Sequence, residues 1–334
     1  MALSFPLSIL DLAPVSDGTT TEQALGELVS LARLGDDLGF TRVWYAEHHG
    51  MPSIASSSPE VLIATAAAHT SRIRVGSGGV MLPNHVPLRV VETYRTLNGL
   101  SPGRIDLGIG RAGGSDGRTL QALRAVDGQY FAQELAEVLA FEEGNFSPDH
   151  PFARITVSPE QVELPPIWLL GSSGASAQAA GQLGVGYAFA AHFSQTPAAP
   201  AFAAYRAAFT PSAAFPRPHA IIALSVLVAP TDEEARFLSG SQELSWALFH
   251  SGQIRKLVSP EAAAAHDYTP GERRIIDTHR PLWLTGSPET VKRQIDMKVE
   301  ETGADEVIVT TTAWDYAMRQ RSYRLLAEVY GLGG

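Results

Sequence analysis

The segment "RIRVGSGGVMLPNHVPLRVVETYRTLNGLSPGRIDLGIGR" (72–111) contains the pattern that decides the fold. Its two ends, 72–82 and 104–111, are short apolar runs, which predict strands. The stretch between them, "VPLRVVETYRTLNGLSPG" (86–103), is a longer amphipathic run closed by a Gly/Pro turn, which predicts a helix. A strand, a helix and a second strand in this order indicate two parallel strands joined by a crossover.

The same alternation continues on both sides of this segment. Further strands are predicted at 7–14, 42–47, 166–171, 186–191, 219–229 and 305–312. Further helices are predicted at 20–40, 58–70, 174–184, 197–209, 231–252, 287–303 and over the last stretch to Tyr330, with a helical part near 128–142. This makes eight strands, each followed by a helix.

Eight such units favour an α/β fold of the closed (β/α)8, or TIM, barrel type. An open doubly wound sheet, which usually has five or six strands, is the alternative. We predict one domain over residues 1–334, with insertions after the fourth strand (112–165) and the seventh (253–285). The second insertion has no clear pattern, so we expect an irregular segment that acts as a lid.

Composition excludes several classes of function. Hydrophobic residues make up 45% and charged residues 18% of the chain, which allows a large core. A net charge of −10 argues against nucleic acid as a partner, and the absence of cysteine excludes disulfides and Cys-based zinc sites. The first residues do not resemble a signal peptide, and no apolar run is long enough to span a membrane. A cytoplasmic protein without membrane association is therefore expected.

The second predicted strand ends in "RVWYAEHHG" (42–50), with Glu47, His48 and His49 in a row. In a (β/α)8 barrel the C-terminal strand ends form the active site, so this cluster is a candidate site. Neighbouring side chains of a strand point to opposite faces, and no second ligand cluster is evident, so a metal site is disfavoured. An acid/base histidine tuned by a carboxylate and a hydrogen-bonded structural corner both remain open.

Glycines at the third and fourth strand ends, "GSGG" (76–79) and "GIGR" (108–111), indicate either a flat ligand lying close to the backbone or a tight barrel corner. After the fifth strand, "GSSGAS" (171–176) begins a helix, which suits either a bound phosphate or an ordinary serine cap. Arg111, at the adjacent strand end, favours the phosphate. Asp11 and His192 are further strand-end residues; Asp11 is either a pocket carboxylate or a turn cap, and His192 a pocket-lining side chain.

Several blocks taken together resemble the bacterial luciferase-like monooxygenase family. The blocks are "YAEHHG", "RVGSGGVMLPNHVPLRVVE", "LSPGRIDLGIGRAGG", "PPIWLLGSSGASAQAAGQLG" and "GSPETVKRQI". Their order and spacing cover nearly the whole chain, and the subgroup resembled is the general luciferase-like flavin oxidoreductases. The resemblance implies a (β/α)8 barrel, usually a homodimer, that oxygenates a small organic substrate with O2 and with reduced FMN from a separate flavin reductase.

The resemblance also implies roles for individual residues. Arg111, Ser173 and Ser176 match positions that hold the FMN phosphate, with Ser172 beside them. Ser77, Gly78 and Gly79 match the segment under the flavin ring, where the family often has a non-proline cis peptide, which we predict between Gly78 and Gly79. His48 matches the acid/base histidine, with Glu47 as its structural and electrostatic partner. Gly110 stands where light-emitting relatives have a cysteine, which argues against bioluminescence.

Two other functions are possible for the same scaffold. One is a hydride-transferring oxidoreductase that uses a deazaflavin coenzyme, and the other is a non-catalytic flavin-binding protein. The sequence does not identify the substrate.

Overall fold

The computed structural model describes residues 5–333 and contains ten strands within them, every pair of which is parallel. The strands are β1 (Leu7–Asp11), β2 (Arg42–Tyr45), β3 (Arg74–Ser77), β4 (Val80–Met81), β5 (Ile105–Gly110), β6 (Ile167–Gly171), β7 (Gly186–Phe189), β8 (Ala220–Val228), β9 (Trp283–Gly286) and β10 (Glu306–Thr310).

The sheet closes on itself. β10 pairs with β1 through Leu7 and Val307, and with β8 through Leu224 and Val309. The closed ring runs β1, β2, β3, β5, β6, β7, β8 and β10, so it has the eight strands that the alternation predicts. The (β/α)8 barrel is confirmed, and the open doubly wound sheet is excluded because β1 and β10 leave no free edge between them.

Twelve α-helices lie within the described residues. They are α1 (Thr21–Leu38), α2 (Pro59–Ala68), α3 (Pro87–Leu100), α4 (Gly117–Leu123), α5 (Phe131–Glu143), α6 (Gly174–Leu183), α7 (Ala198–Ala208), α8 (Asp232–His250), α9 (Pro260–Ala264), α10 (Pro270–His279), α11 (Pro288–Thr302) and α12 (Tyr316–Tyr330). In α1, Ala24, Leu28, Leu31 and Ala32 form one buried stripe because they recur every three to four residues.

The predicted strand 72–82 is in fact two strands. The peptide bond between Gly78 and Gly79 is cis, as predicted, and it separates β3 from the short β4, which pairs with the end of β5. A single regular strand over 72–82 was therefore a wrong prediction.

The two insertions lie where the sequence indicates, and both contain more structure than predicted. The first holds α5, close to the predicted helix, together with the unpredicted α4. The second was predicted to be irregular, but it contains α9, α10 and β9, and β9 pairs with the C-terminal part of β8 through Val226 and Leu284. The "WLTG" segment (283–286) is thus a strand, with the buried Leu284 packed against the main core.

The space inside the barrel is filled by an apolar cluster. Its members are Leu10, Trp44, Trp168, Ala188, Phe215, Ile221, Ala223 and Ile308, and most of them lie on ring strands. The rings of Trp44 and Trp168 meet edge to face, with centroids 5.5 Å apart. Since these side chains fill the centre, a ligand has room only above them, at the C-terminal ends of the strands.

Below the apolar cluster lies a basal ion cluster, formed by Arg42, Arg74, Asp106, His219 and Glu306. Arg42 donates to Asp106 over 2.7 Å and to Glu306 over 2.7 and 2.9 Å, and His219 Nε2 lies 3.0 Å from Glu306. Glu306 and Arg42 begin β10 and β2. The cluster therefore joins strands across the N-terminal end of the barrel, away from the candidate site.

Candidate active site

Glu47, just beyond the end of β2, is fully buried and surrounded by donors. Its Oε1 atom lies 2.8 Å from Asn84 Nδ2 and 2.9 Å from His49 Nε2. Its Oε2 atom lies 2.8 Å from the backbone N–H of Met81 and 2.9 Å from His85 Nε2. Burial by itself raises the pKa of a carboxyl, but these hydrogen bonds, that of His85 foremost, lower the pKa of Glu47 below its usual 4.5.

This carboxylate holds three loops of the barrel mouth together, which we define as the C-terminal strand ends with the loops that follow them. Asn84, besides donating to Glu47, donates to the Gly113 carbonyl over 3.1 Å. The backbone N–H of His49 donates to Gly114, and Ser115 Oγ donates to the His49 carbonyl over 2.6 Å. The loops after β2, β4 and β5 are thereby fixed to one another through Glu47.

His48 and His49 have different environments, which the sequence could not distinguish. The ring of His49 is bonded to Glu47, whereas Nδ1 of His48 is buried and has no hydrogen-bond partner among the described residues. The backbone N–H of His48 donates to the Ser56 carbonyl over 2.9 Å, which fixes its position. Burial lowers the pKa of His48, so its ring is neutral at pH 7.

His192 lies beyond the end of β7 and is another histidine of the mouth. Its Nδ1 atom is also buried without a partner in the described part of the chain, and burial lowers the pKa of His192 to about 4. Residues His85 and Asn84, which bind Glu47, were not predicted as site residues. The available signal was "LPNH" (82–85), a polar pair directly after the glycine-rich strand end.

The glycines of β3 and β5 lie where the strands approach each other closely. A Cβ atom on Gly108 would lie 2.1 Å from the Ser77 carbonyl oxygen, and one on Gly79 would lie 2.8 Å from the Gly108 carbonyl oxygen. The Ser77 hydroxyl donates to the carbonyl of Gly108 over 2.9 Å and accepts from its N–H over 3.0 Å. Strand packing therefore favours glycine, which has no Cβ, at positions 79 and 108, whether or not a ligand lies above them.

Gly78 and Gly110 are also in crowded positions. A Cβ atom on Gly78 would lie 2.7 Å from Leu10 Cδ1, and one on Gly110 would lie 2.9 Å from Met81 Sδ. Met81 has a flexible side chain, so the space at Gly110 is less strictly limited than that at Gly108.

Helix α6 begins directly after β6 without a side-chain cap. Ser173 is the residue before its first turn, but its hydroxyl caps no backbone N–H. The hydroxyl of Ser176 donates to the Ser173 carbonyl over 2.9 Å and lies 3.2 Å from the Tyr187 hydroxyl. The first-turn N–H groups of α6 are thus left without a side-chain partner, which is the arrangement that binds a phosphate.

Arg111 lies beside this helix end. In the β5–β6 ladder Ile109 is opposite Leu169, so two residues further along Arg111 is opposite Gly171, next to Ser172. The Arg111 side chain is exposed and forms no hydrogen bond or ion pair with the described residues. An unpaired guanidinium and an uncapped helix N-terminus therefore follow neighbouring strands at one side of the mouth.

Asp11 is not a pocket carboxylate. It is fully buried, accepts from Arg319 Nη2 over 2.6 Å and from the backbone N–H of Ala13 over 2.7 Å. The turn-cap interpretation is the one that the structure supports.

Within residues 5–333 no group of three or more His, Asp or Glu side chains is arranged to bind a metal. No helix in the same range is long and apolar enough to span a membrane.

Comparison with known proteins matches residues 5–306 to the luciferase-like monooxygenase family. The chain belongs to this family. A luciferase-like monooxygenase of Escherichia coli is 38% identical over 96% of each chain. The N-acetyl-S-alkylcysteine monooxygenase of Bacillus subtilis is 32% identical over 96% of this chain and 97% of that one. The crystal structure of apo-MsnO8 superimposes with a TM-score of 0.90, at 39% identity over 98% and 99% of the two chains.

More distant solved structures share the fold of this member of the luciferase-like family. One is the FMN complex of the oxygenating constituent of 3,6-diketocamphane monooxygenase from Pseudomonas putida, at 18% identity and a TM-score of 0.70. Another is an F420-dependent secondary alcohol dehydrogenase, at 14% identity and a TM-score of 0.69. Proteins with this fold therefore include one solved in complex with FMN and one that depends on F420.

Proposed function

We propose that this luciferase-like protein is a monooxygenase that uses reduced FMN and O2 to oxygenate a small organic substrate. The observation that carries the proposal is that the unpaired Arg111 and the uncapped N-terminus of α6 follow neighbouring strands, across the mouth from the neutral His48. The relatives above 30% identity that carry a function in their names are called monooxygenases, which supports oxygenation over hydride transfer.

The residues present fit FMN. The FMN phosphate would be held by Arg111, Ser172, Ser173 and the first-turn N–H groups of α6. Arg111 has no ion-pair partner, and the N–H groups have no side-chain cap. Ser176, which is bonded to Ser173 and Tyr187, would support this turn from behind. Ser77, Gly78, Gly79 and Gly110 would form the backbone wall beside the ring.

Bound reduced FMN would supply the two electrons with which one oxygen atom of O2 enters the substrate and the other leaves as water. His48 would donate or accept a proton at its accessible ring nitrogen, because its other nitrogen, Nδ1, is buried. Glu47 would act indirectly, by fixing the loop that carries His48, since all its acceptor positions are used by donors of the protein.

The cofactor is tested by titrating the full-length protein with FMN, riboflavin and F420 and following flavin fluorescence. We expect FMN to bind at least about tenfold more tightly than riboflavin, because a phosphate gains charge-assisted hydrogen bonds. Arg111→Gln should remove most of this preference and leave riboflavin binding unchanged. Equal binding of FMN and riboflavin contradicts the proposed phosphate site, and tighter binding of F420 favours the deazaflavin enzyme.

The reaction is tested by a substrate screen with an NAD(P)H–flavin reductase under air and under nitrogen. Oxygen-dependent product formation supports a monooxygenase. Tight FMN binding without product from any substrate class favours the non-catalytic flavin-binding protein.

We also propose that the protein is a homodimer that receives reduced FMN from a transient reductase partner. Three apolar residues of helices α2 and α3 are largely exposed to solvent. The exposed fraction is 58% for Val61 in α2, 67% for Val86 just before α3 and 75% for Leu100 at the end of α3. Sedimentation of the full-length protein tests this proposal. If the natural protein is a dimer and the double variant Val61→Glu, Leu100→Glu is a monomer, this face is supported as the contact.

A further inference from the structure

His192 is placed opposite His48 by the topology of the barrel. In the ring order, β2 and β7 are separated by three strands in either direction, so they lie on opposite sides of the barrel. His48 is the third residue after Tyr45, which ends β2, and His192 is the third residue after Phe189, which ends β7. The two histidines therefore leave opposite walls at the same height above the strands.

The surroundings of His192 place its ring over the barrel interior. A positive charge on His48 lowers the pKa of His192, and the ring of His192 lies against the carbonyl of Ala223, a member of the apolar cluster inside the barrel. The pair therefore spans the mouth above an apolar floor that includes Trp44 and Trp168.

The carboxylates at the ends of β1 and β2 already have partners within the protein. Glu47 accepts four hydrogen bonds, including those of His49 and His85, and Asp11 is paired with Arg319. Arg111, a cation of the mouth, is exposed at its rim. Two neutral imidazole rings offer no opposite charge to an anion or a cation, so burying either between them would be costly.

We propose that His192 is a second substrate-binding residue, acting opposite His48, and that the pair recognises an uncharged group with a carbonyl or hydroxyl oxygen. A neutral imidazole has one donor and one acceptor nitrogen, so it pairs with such an oxygen without a change of charge. The inference rests on the proposed function, because it takes the space between the rings as the place where the substrate is oxygenated.

The test compares three probes of similar shape and different charge: acetophenone, benzoate and benzylamine. Full-length protein labelled with 15N-histidine is titrated with each probe at pH 7.5, and the imidazole resonances are assigned through His48→Gln and His192→Gln. We expect acetophenone to shift the resonances of both residues saturably, and benzoate and benzylamine to bind at least about tenfold more weakly. Binding of benzoate or benzylamine as tight as that of acetophenone overturns the proposal.

Substitution of His192 separates hydrogen bonding from shape. His192→Phe keeps a flat ring but removes both nitrogens, so acetophenone should bind about fivefold or more weakly, whereas His192→Gln should retain most of the affinity. His69→Gln is the matched control, because His69 is exposed at the end of α2 and bonded to the Thr65 carbonyl. Unchanged binding in His192→Phe overturns the proposal.

Two further measurements keep the test decisive. If His192→Phe does not fold, the imidazole resonances of the natural protein still test the proposal. A protonated His48 or His192 at pH 7.5 overturns it, because the pair would then be charged. FMN titration of the same samples distinguishes the two proposals. If acetophenone binds but FMN does not, only the proposed FMN-dependent function is refuted. If FMN binds but acetophenone does not, only the proposed histidine pair is refuted.

Discussion

Four histidines of the mouth differ in what surrounds each ring. His49 and His85 are bonded to Glu47, whereas His48 and His192 have a buried Nδ1 without a partner. A ring that is bonded to a carboxylate has a fixed orientation, while a ring with a free accessible nitrogen can exchange a proton with a ligand. At the scale of single residues, we therefore assign a structural role to His49 and His85, and a role in ligand binding or proton transfer to His48 and His192.

His48→Ala tests this distinction. FMN binding should survive, since the proposed phosphate site lies on β5 and α6, and turnover should fall by about 10²-fold because a positioned proton donor is lost. The measurement is product formation with the substrate that the reductase-coupled screen identifies. His69→Ala, remote from the mouth, is the control, and unchanged turnover of His48→Ala removes this residue from the mechanism.

The pair of His85 with Glu47 predicts a pH dependence of stability. Burial alone lowers the pKa of His85, but the hydrogen bond and charge of Glu47 outweigh it and raise the pKa above 6.5. A raised pKa in the folded state means that the stabilisation is fully present below pH 6.5 and is lost as the pH rises through the folded value.

We therefore expect the free energy of unfolding of the natural protein to fall relative to that of His85→Gln as the pH rises above 6.5. Urea unfolding of both proteins across this range measures the difference. A constant difference between the two proteins contradicts the proposed charge pairing.

At the scale of elements, β3 and β5 are in contact through their backbones at Gly108 and Ser77. The Ser77 hydroxyl bonds both backbone groups of Gly108, and no side chain fits between them. The turn at the cis Gly78–Gly79 peptide and the start of β4 depend on this contact, because β4 pairs with the end of β5.

Gly108→Ala should destabilise the protein by about 2–3 kcal/mol, since the new Cβ would lie 2.1 Å from the Ser77 carbonyl oxygen and the strands must separate. Gly26→Ala is the matched control: Gly26 lies in α1 with no atom within 4 Å of the new Cβ. The control should be stabilised by about 0.5–1 kcal/mol, as alanine favours a helix. Equal urea denaturation midpoints for the two variants would show that the close approach of Gly108 to Ser77 does not exclude a Cβ atom.

At the scale of the whole molecule, the two ends of the barrel have different roles. The basal ion cluster joins β2, β3, β5 and β10 across the N-terminal end, and Glu306 within it is fully buried. Burial by itself raises the pKa of Glu306, but the charge of Arg42 outweighs this and lowers the pKa to about 2. The opposite end keeps unpaired donors, which a ligand can use.

Glu306→Gln tests the contribution of this cluster to closure of the barrel. Because the folded pKa is depressed, the stabilisation is present above pH 4.5 and is lost as the pH falls from 4.5 towards 2. The variant should be less stable at pH 7 by about 3 kcal/mol, since Arg42 loses a buried partner. Its stability should also fall less steeply below pH 4.5, measured by urea unfolding at successive pH values; an equally steep fall contradicts the assignment.

Much of this architecture was predictable from the sequence because it depends on local patterns. Apolar runs of strand length and amphipathic runs of helix length recur in the chain, and their alternation indicates eight parallel strands. The segment 253–285 was misjudged because β9 is short and is stabilised by pairing with the distant β8, which no local pattern reveals.

The sequence alone predicted the barrel, the strand ends that form its mouth and some of the residues that lie there, but not Asn84 or His85. Only the tertiary structure decided which histidine binds Glu47, why Gly108 must be glycine and that His192 lies opposite His48. The physical reason is that hydrophobic periodicity specifies which face of an element is buried. Contacts between loops instead depend on how distant strands are brought together, and each side chain then takes the partner that is nearest in space.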